Sequence, residues 1–291
     1  MVVLLLLCCC CLPNVWTHDD VVSNSSDGSP VNNSRDYKYY HEALTSGESN
    51  ATSDFGWRIW GGHFIFITQA PYAVLYGWSC GGTLIAPNWV ITAAHCGEEF
   101  FIHAGSLFEI STDEYAVKRH VYHPNWFDES KGHYFDYDML LLELEGSVPE
   151  TVHTRPIALG GPEDINPGQL VSISGWGESR FKFNISRNDS DMSGILKMVK
   201  MRVLEHNDCA MRAVPFYGSK FGERNYTITP RMVCAEGKGG SPCFGDSGGP
   251  VVANNKLVGV VSWSIHCEPI LIFSNVVMAK DWIGSTTGLS V

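Results

Sequence analysis

The sequence predicts an all-β fold, and three observations carry that prediction. From Ile59 onward, short β-rich runs recur with turn signals between them. Gly81 to Ile85 and Trp89 to Thr92 are two such runs, and Pro87-Asn88 between them marks a turn. An apolar fraction of 44% is ordinary for a globular chain and supplies a sizeable core. Strands at this spacing suggest a sandwich or a barrel.

Taken in order, the chain starts with Met1 to Leu12, almost wholly apolar and containing Cys8 to Cys11. The run is too short to span a bilayer, so residues 1–17 read as a signal peptide cut near Thr17. No later segment is long enough to cross a membrane. Residues 18–58 are rich in Ser, Asn, Asp and Gly without a sustained apolar period, and read as poorly ordered. After the first two runs, strands are expected over Tyr115 to Val121, Met139 to Leu144, Leu170 to Ser174, Lys197 to Val203 and Lys256 to Val261. Val276 to Ile283 looks like a short closing helix, and no internal repeat is visible.

The formal net charge of -11 argues against nucleic acid or an acidic membrane surface as a partner. Beyond the leader, six cysteines remain: Cys80, Cys96, Cys209, Cys234, Cys243 and Cys267. An even number in a secreted chain suggests disulfides, and six cysteines allow fifteen pairings. Glycosylation sequons begin at Asn24, Asn32, Asn50, Asn184, Asn188 and Asn225, all outside the apolar runs. They fit a secreted, extracellular glycoprotein.

The chemistry concentrates in three stretches. Gly245-Asp246-Ser247-Gly248-Gly249-Pro250 places a serine between an acid and two glycines. A serine hydroxyl is a weak nucleophile and needs a base and a pocket for the developing oxyanion. Thr92-Ala93-Ala94-His95-Cys96 supplies a histidine among small residues, and Asp136-Tyr137-Asp138 heads an apolar run. Asp136 and Asp138 stand two apart, so in a strand both face one side and compete for one role.

These motifs, in the order histidine, aspartate, serine, resemble the chymotrypsin-like (trypsin-fold) serine proteases from about Ile59 to about Ile283. The resemblance implies a domain over residues 59–291 made of two packed six-stranded antiparallel β-barrels with the site in their cleft. It implies Ser247 as nucleophile, His95 as base and then acid, and Asp138, on the family motif, as the group that orients His95. Gly245 and Ser247 would supply the oxyanion N–H groups. It pairs Cys80 with Cys96, Cys209 with Cys234, and Cys243 with Cys267. Trp57-Arg58-Ile59-Trp60-Gly61-Gly62 resembles the family's activation junction, so residues 18–58 become a pro-peptide. Cleavage after Arg58 by an activating protease would free the Ile59 ammonium to meet Asp246.

Within the family, the residue six before the serine forms the base of the specificity pocket, and here it is Ser241. A hydroxyl there leaves a cationic substrate side chain without a counter-charge, which argues against cleavage after Lys or Arg. Ser264 and Leu271 are expected as pocket walls and Phe244 at its entrance. Ser262-Trp263-Ser264 would pair with an extended substrate backbone. His120 and His123 read as a solvated strand end, not a metal pair. No cofactor or metal is expected. The expected activity is a secreted serine endopeptidase, made as a zymogen, that cuts protein or peptide substrates after small or medium apolar residues. Protein protease inhibitors are expected partners. The alternative is a catalytically weak or inactive binding protein on the same fold.

Overall fold

Period-2 patterning and its exceptions explain the architecture. In the computed structural model the described residues are 62–108, 113–126, 135–177, 194–220, 227–238, 240–264 and 269–291. The chain divides into Met1–Phe55 and Gly56–Val291, and the first of these units lies outside the described residues.

After a short strand β1 (His63–Phe64), the first barrel comprises β2 (Ala73–Tyr76), β3 (Cys80–Ala86), β4 (Trp89–Thr92), β5 (Phe101–Ala104), β6 (Asp113–Tyr122) and β7 (Leu140–Leu144). These close in the order β2-β3-β4-β7-β6-β5, all antiparallel. The second barrel comprises β8 (Leu170–Gly175), β9 (Lys197–Val203), β10 (Met232–Glu236), β11 (Pro250–Ala253), β12 (Lys256–Ser264) and β13 (Ile270–Asn275). Its order is β9-β10-β13-β12-β11-β8, closed by pairing of β8 with β9, and β1 adds to the outer edge of β9. Closure removes the exposed sheet edges that would otherwise recruit other chains.

The run Leu140-Leu141-Leu142 shows why β7 is apolar without alternation. Leu140 and Leu142 fill the first barrel with Val74, Leu84, Val90 and Ile102. Leu141 points the other way and joins Ile91, Val260, Val276 and Ile283 in a layer outside that barrel. The second barrel is filled by Val171, Ile173, Val199, Val251, Leu271 and Phe273. Pro250 takes the first position of β11, where a missing N–H costs no interior ladder bond.

Every expected strand is present within a few residues. Strands β1, β2, β5, β10, β11 and β13 were not anticipated, and neither was helix α1 (His206–Lys220). Pro215 and Gly218 inside α1 read as breakers at the sequence level. The closing helix is displaced from its expected position. Val276–Ala279 is a 3-10 turn capped by Asn275, which accepts from Met278 N, and α2 (Lys280–Thr287) follows it. Gly288, at φ 76°, ends α2 in the left-handed cap typical of helix C-termini.

Candidate active site

His95 sits in a 3-10 turn, Ala94–Cys96, directly after β4. A disulfide from Cys96 to Cys80 ties this turn back to the start of β3. Asp138, just before β7, is fully buried. Its Oδ1 accepts the His95 backbone N–H at 2.9 Å, and its Oδ2 faces His95 Nδ1 at 2.7 Å. Ser262 of the second barrel also donates its hydroxyl to Oδ2, and Ser274 donates to the Asp138 carbonyl at 3.0 Å. The carboxylate is thus held by both barrels, with Oδ1 on the His95 backbone and Oδ2 on its imidazole.

Asp136 faces a different partner. Its carboxylate accepts from Arg231 Nε at 3.0 Å, Arg231 Nη2 at 2.5 Å and Thr229 Oγ1 at 2.9 Å. The competition between the two aspartates is therefore decided by geometry: Asp138 alone of the two contacts His95.

The serine loop is stitched to the histidine side by backbone. Gly81 N, on β3, donates to Ser247 O at 2.7 Å, and Thr92 Oγ1 donates to Gly81 O at 2.7 Å. Gly248 N donates to Val261 O at 2.7 Å. Gly248 has φ 80°, and a Cβ there would stand 2.1 Å from Thr92 Oγ1 and 2.4 Å from Gly81 O. Only glycine lets the residue after Ser247 press against the end of β4 that leads into His95. The structure thus brings the serine and histidine stretches against each other across the two barrels.

That arrangement matches a known family. The family model described as Trypsin fits residues 59–283. The chain belongs to the trypsin family. It is a serine endopeptidase. Among named relatives, Trypsin 5G1 of Aedes aegypti is 32% identical over 248 residues, covering 80% of this chain and 86% of its own length. The vitellin-degrading protease of Bombyx mori is 33% identical over 244 residues, covering 78% and 84%. In structure, the chain resembles neuropsin, a serine protease of mouse brain, with a TM-score of 0.61 at 25% identity, covering 77% of this chain and 98% of that one.

Two supports of this trypsin-family site went unread in the sequence, the backbone cradle around Asp246 and the ring of Phe135. Asp246 is fully buried, its Oδ1 accepting Gly177 N at 2.8 Å and its Oδ2 accepting Cys243 N at 2.9 Å. Gly175 and Gly177 make that cradle possible, since a Cβ on either would fall within 2.4 Å of the carboxyl group. Gly175, which ends β8, and Gly177 just after it therefore serve the serine loop directly. Phe135 is the second feature: its ring meets His95 edge-on at 5.7 Å and lies 6.1 Å from Trp263.

At the expected specificity pocket, Ser241 is fully buried and its hydroxyl donates to Pro242 O at 3.2 Å. Phe244 is exposed, Ser262 is buried, and Trp263 and Ser264 are half-buried at the end of β12. Leu271 is not a pocket wall. It pairs with Ser264 in register, but its side chain enters the core of the second barrel. Its neighbours Ile270 and Ile272 point the other way and pack with Trp263, Cys209 and Cys234. Successive strand residues face opposite sides, so a one-residue error in register moves a side chain to the other face of the sheet.

Cys209 and Cys234 form the second disulfide, and Cys243 is disulfide-bonded. Cys267 lies outside the described residues, as do Arg58, Ile59 and the sequon residues Asn24, Asn32, Asn50, Asn184, Asn188 and Asn225. His123 is buried, not solvated as expected: it stacks on Tyr137 at 4.4 Å and meets Trp282 at 4.8 Å. Burial, only partly opposed by the Asp136 charge, pushes its pKa down to about 4. His120 Nε2 contacts Glu99 O at 2.9 Å. No cluster of His, Cys, Asp or Glu able to hold a metal ion occurs among the described residues.

Burial disfavours the charged form of His95, but the Asp138 charge and hydrogen bond outweigh it, so the imidazole pKa stands above the ordinary 6.5. In the base role that the family resemblance implies for His95, the imidazole must be unprotonated, so kcat/KM is expected to fall as pH drops through that raised value. The acid limb of the pH profile on a peptide substrate is expected to have its midpoint above 6.5. A midpoint at or below 6.5 would contradict the assigned balance.

Proposed function

We propose that the chain is a secreted zymogen whose mature form cuts protein substrates by an acyl-enzyme route. Ser247 Oγ attacks the scissile carbonyl while His95 Nε2 takes its proton. The oxyanion rests on the N–H groups of Gly245 and Ser247. His95 then gives the proton to the leaving amine, and water repeats the sequence to release the acid. Asp138 holds the tautomer in which Nδ1 carries the proton. The hydrogen-bond geometry of Asp138 and the backbone stitch at Ser247 support these roles.

Activation follows cleavage after Arg58. The new Ile59 ammonium turns in to Asp246, whose carboxylate already sits in a buried cradle of backbone N–H groups. A buried carboxylate is strongly stabilised by a cation, so the cut would order the serine loop. An activating protease and protein inhibitors are the corresponding partners. Secretion is supported by the apolar leader and by the disulfides, which persist in oxidising compartments. Each such loop closure stabilises by about 3 kcal/mol in the chain-entropy account.

The specificity reading is supported by one observation: Ser241, at the position the family resemblance gives to the pocket base, is a buried hydroxyl and not a carboxylate. Trypsin is the name of several relatives, but this base offers a Lys or Arg side chain no counter-charge. With Ser264, at the end of β12, as the remaining expected wall and no glycine there, the pocket would be shallow and suit small or medium apolar side chains. Cleavage of a mixed peptide library by protein cut after Arg58 tests this. Cuts after small or medium apolar residues are the expected result; cuts after Lys or Arg would overturn the specificity. Arg58→Gln should block maturation by proteases that cut after basic residues, and normal maturation of that variant would remove the zymogen reading.

A further inference from the structure

The segment Phe135-Asp136-Tyr137 is held in an uncommon backbone. Phe135 has φ 61° and Tyr137 has φ 54°, both in the left-handed region that bulky residues rarely adopt. Such a conformation is strained and persists only where surroundings over-determine it. Here the surroundings are specific. Asp136 Oδ1 accepts the Tyr137 N–H at 3.1 Å, Thr229 Oγ1 at 2.9 Å and Arg231 Nε at 3.0 Å, while Oδ2 accepts Arg231 Nη2 at 2.5 Å. Arg231 also lies over the Tyr137 ring, 4.8 Å from its centroid, and Tyr137 stacks on His123.

The two partners belong to different barrels. Asp136 leads into β7 of the first. Arg231 directly precedes β10 of the second, where its carbonyl accepts Asn275 N at 2.8 Å. Flanking the clamp on one side is Phe135, in contact with the His95 ring; on the other is Asp138, bonded to His95 twice. Asp136 and Arg231 are mostly buried, with 9% and 25% of their side chains exposed, so salt screens the pair little.

We propose that Asp136 and Arg231 are positioning residues for catalysis, a bidentate clamp between the barrels that fixes the strained loop and so sets His95 between Phe135 and Asp138. Neither touches substrate. The clamp acts through the imidazole, and the inference rests on the proposed roles of His95 and Asp138. Misplacing a catalytic group by about 1 Å can cost on the order of 100-fold in rate. Loosening the loop should therefore lower kcat and not merely weaken binding.

The test uses full-length protein activated after Arg58, with Arg231→Gln, Arg231→Lys, Asp136→Asn and Asp138→Asn compared. Arg231→Gln and Asp136→Asn are expected to lower kcat about 10- to 100-fold. KM should change less than about threefold, and fluorophosphonate labelling of Ser247 should slow by the same factor as kcat. Arg231→Lys keeps the charge but not the fork, so partial recovery is expected. If Arg231→Gln does not fold, Asp136→Asn carries the test, because an amide oxygen can still accept from Tyr137 and Thr229. Lowered melting temperature with kcat and labelling unchanged would make the clamp merely structural and overturn the proposal, as would a change confined to KM. Wild-type activity in Asp138→Asn would instead overturn the reading of Asp138 on which the proposal stands.

Discussion

Ser247→Ala should lower kcat about 10⁶-fold, the loss established for the nucleophile of Ser-His-Asp hydrolases. The fold should survive. The contacts that place the loop are made by main chain, with Ser247 O accepting from Gly81 and Gly248 N donating to Val261. Alanine keeps all of them. What it removes is the hydroxyl oxygen that the proposed acyl-enzyme route requires. Residual turnover should then come from the oxyanion site and substrate binding alone. Far-ultraviolet circular dichroism checks the fold, and single-turnover assays check the rate. Near-wild-type turnover would take Ser247 out of the mechanism.

The second large effect is expected at Asp138. Asp138→Asn should lower kcat by about 10⁴-fold, the magnitude known for this replacement in such triads. The geometry gives the reason. Oδ1 accepts the His95 backbone N–H, while Oδ2 faces His95 Nδ1 and accepts from Ser262. An asparagine keeps one oxygen. If that oxygen stays toward the backbone N–H, its NH2 faces Nδ1 and drives the proton to Nε2, the atom that must receive the serine proton. If the amide flips, the NH2 opposes the His95 backbone N–H. The lost charge also removes the larger of the two effects that raise the His95 pKa, so what activity remains should show an acid limb shifted to lower pH. A variant with kcat near wild type and an unmoved acid limb would contradict this role.

The chemistry of the site was more legible than its supports. Ser247, His95 and Asp138 sit in short motifs whose residue types carry the chemistry, and the strands around them have strong local patterns. The partner of Asp136 was not legible, because Arg231 stands 95 residues away and no local pattern links them. Leu271 was misassigned because the side it faces depends on register, and register depends on how many residues separate β12 from β13. The second barrel was expected only through the family resemblance. Its β10, β11 and β13 are runs of four to six residues that propensity alone hardly separates from loops. The two barrels share one six-stranded closed form, yet no sequence repeat announces it. Barrel closure demands alternation and length, not identical residues.

The most direct measurement is fluorophosphonate labelling of protein cut after Arg58, with the modified residue mapped by peptide mass spectrometry. The account predicts one adduct, on Ser247, with peptide cleavage abolished in proportion to labelling. Full peptide cleavage without an adduct on Ser247, or no adduct and no cleavage at all, would contradict it.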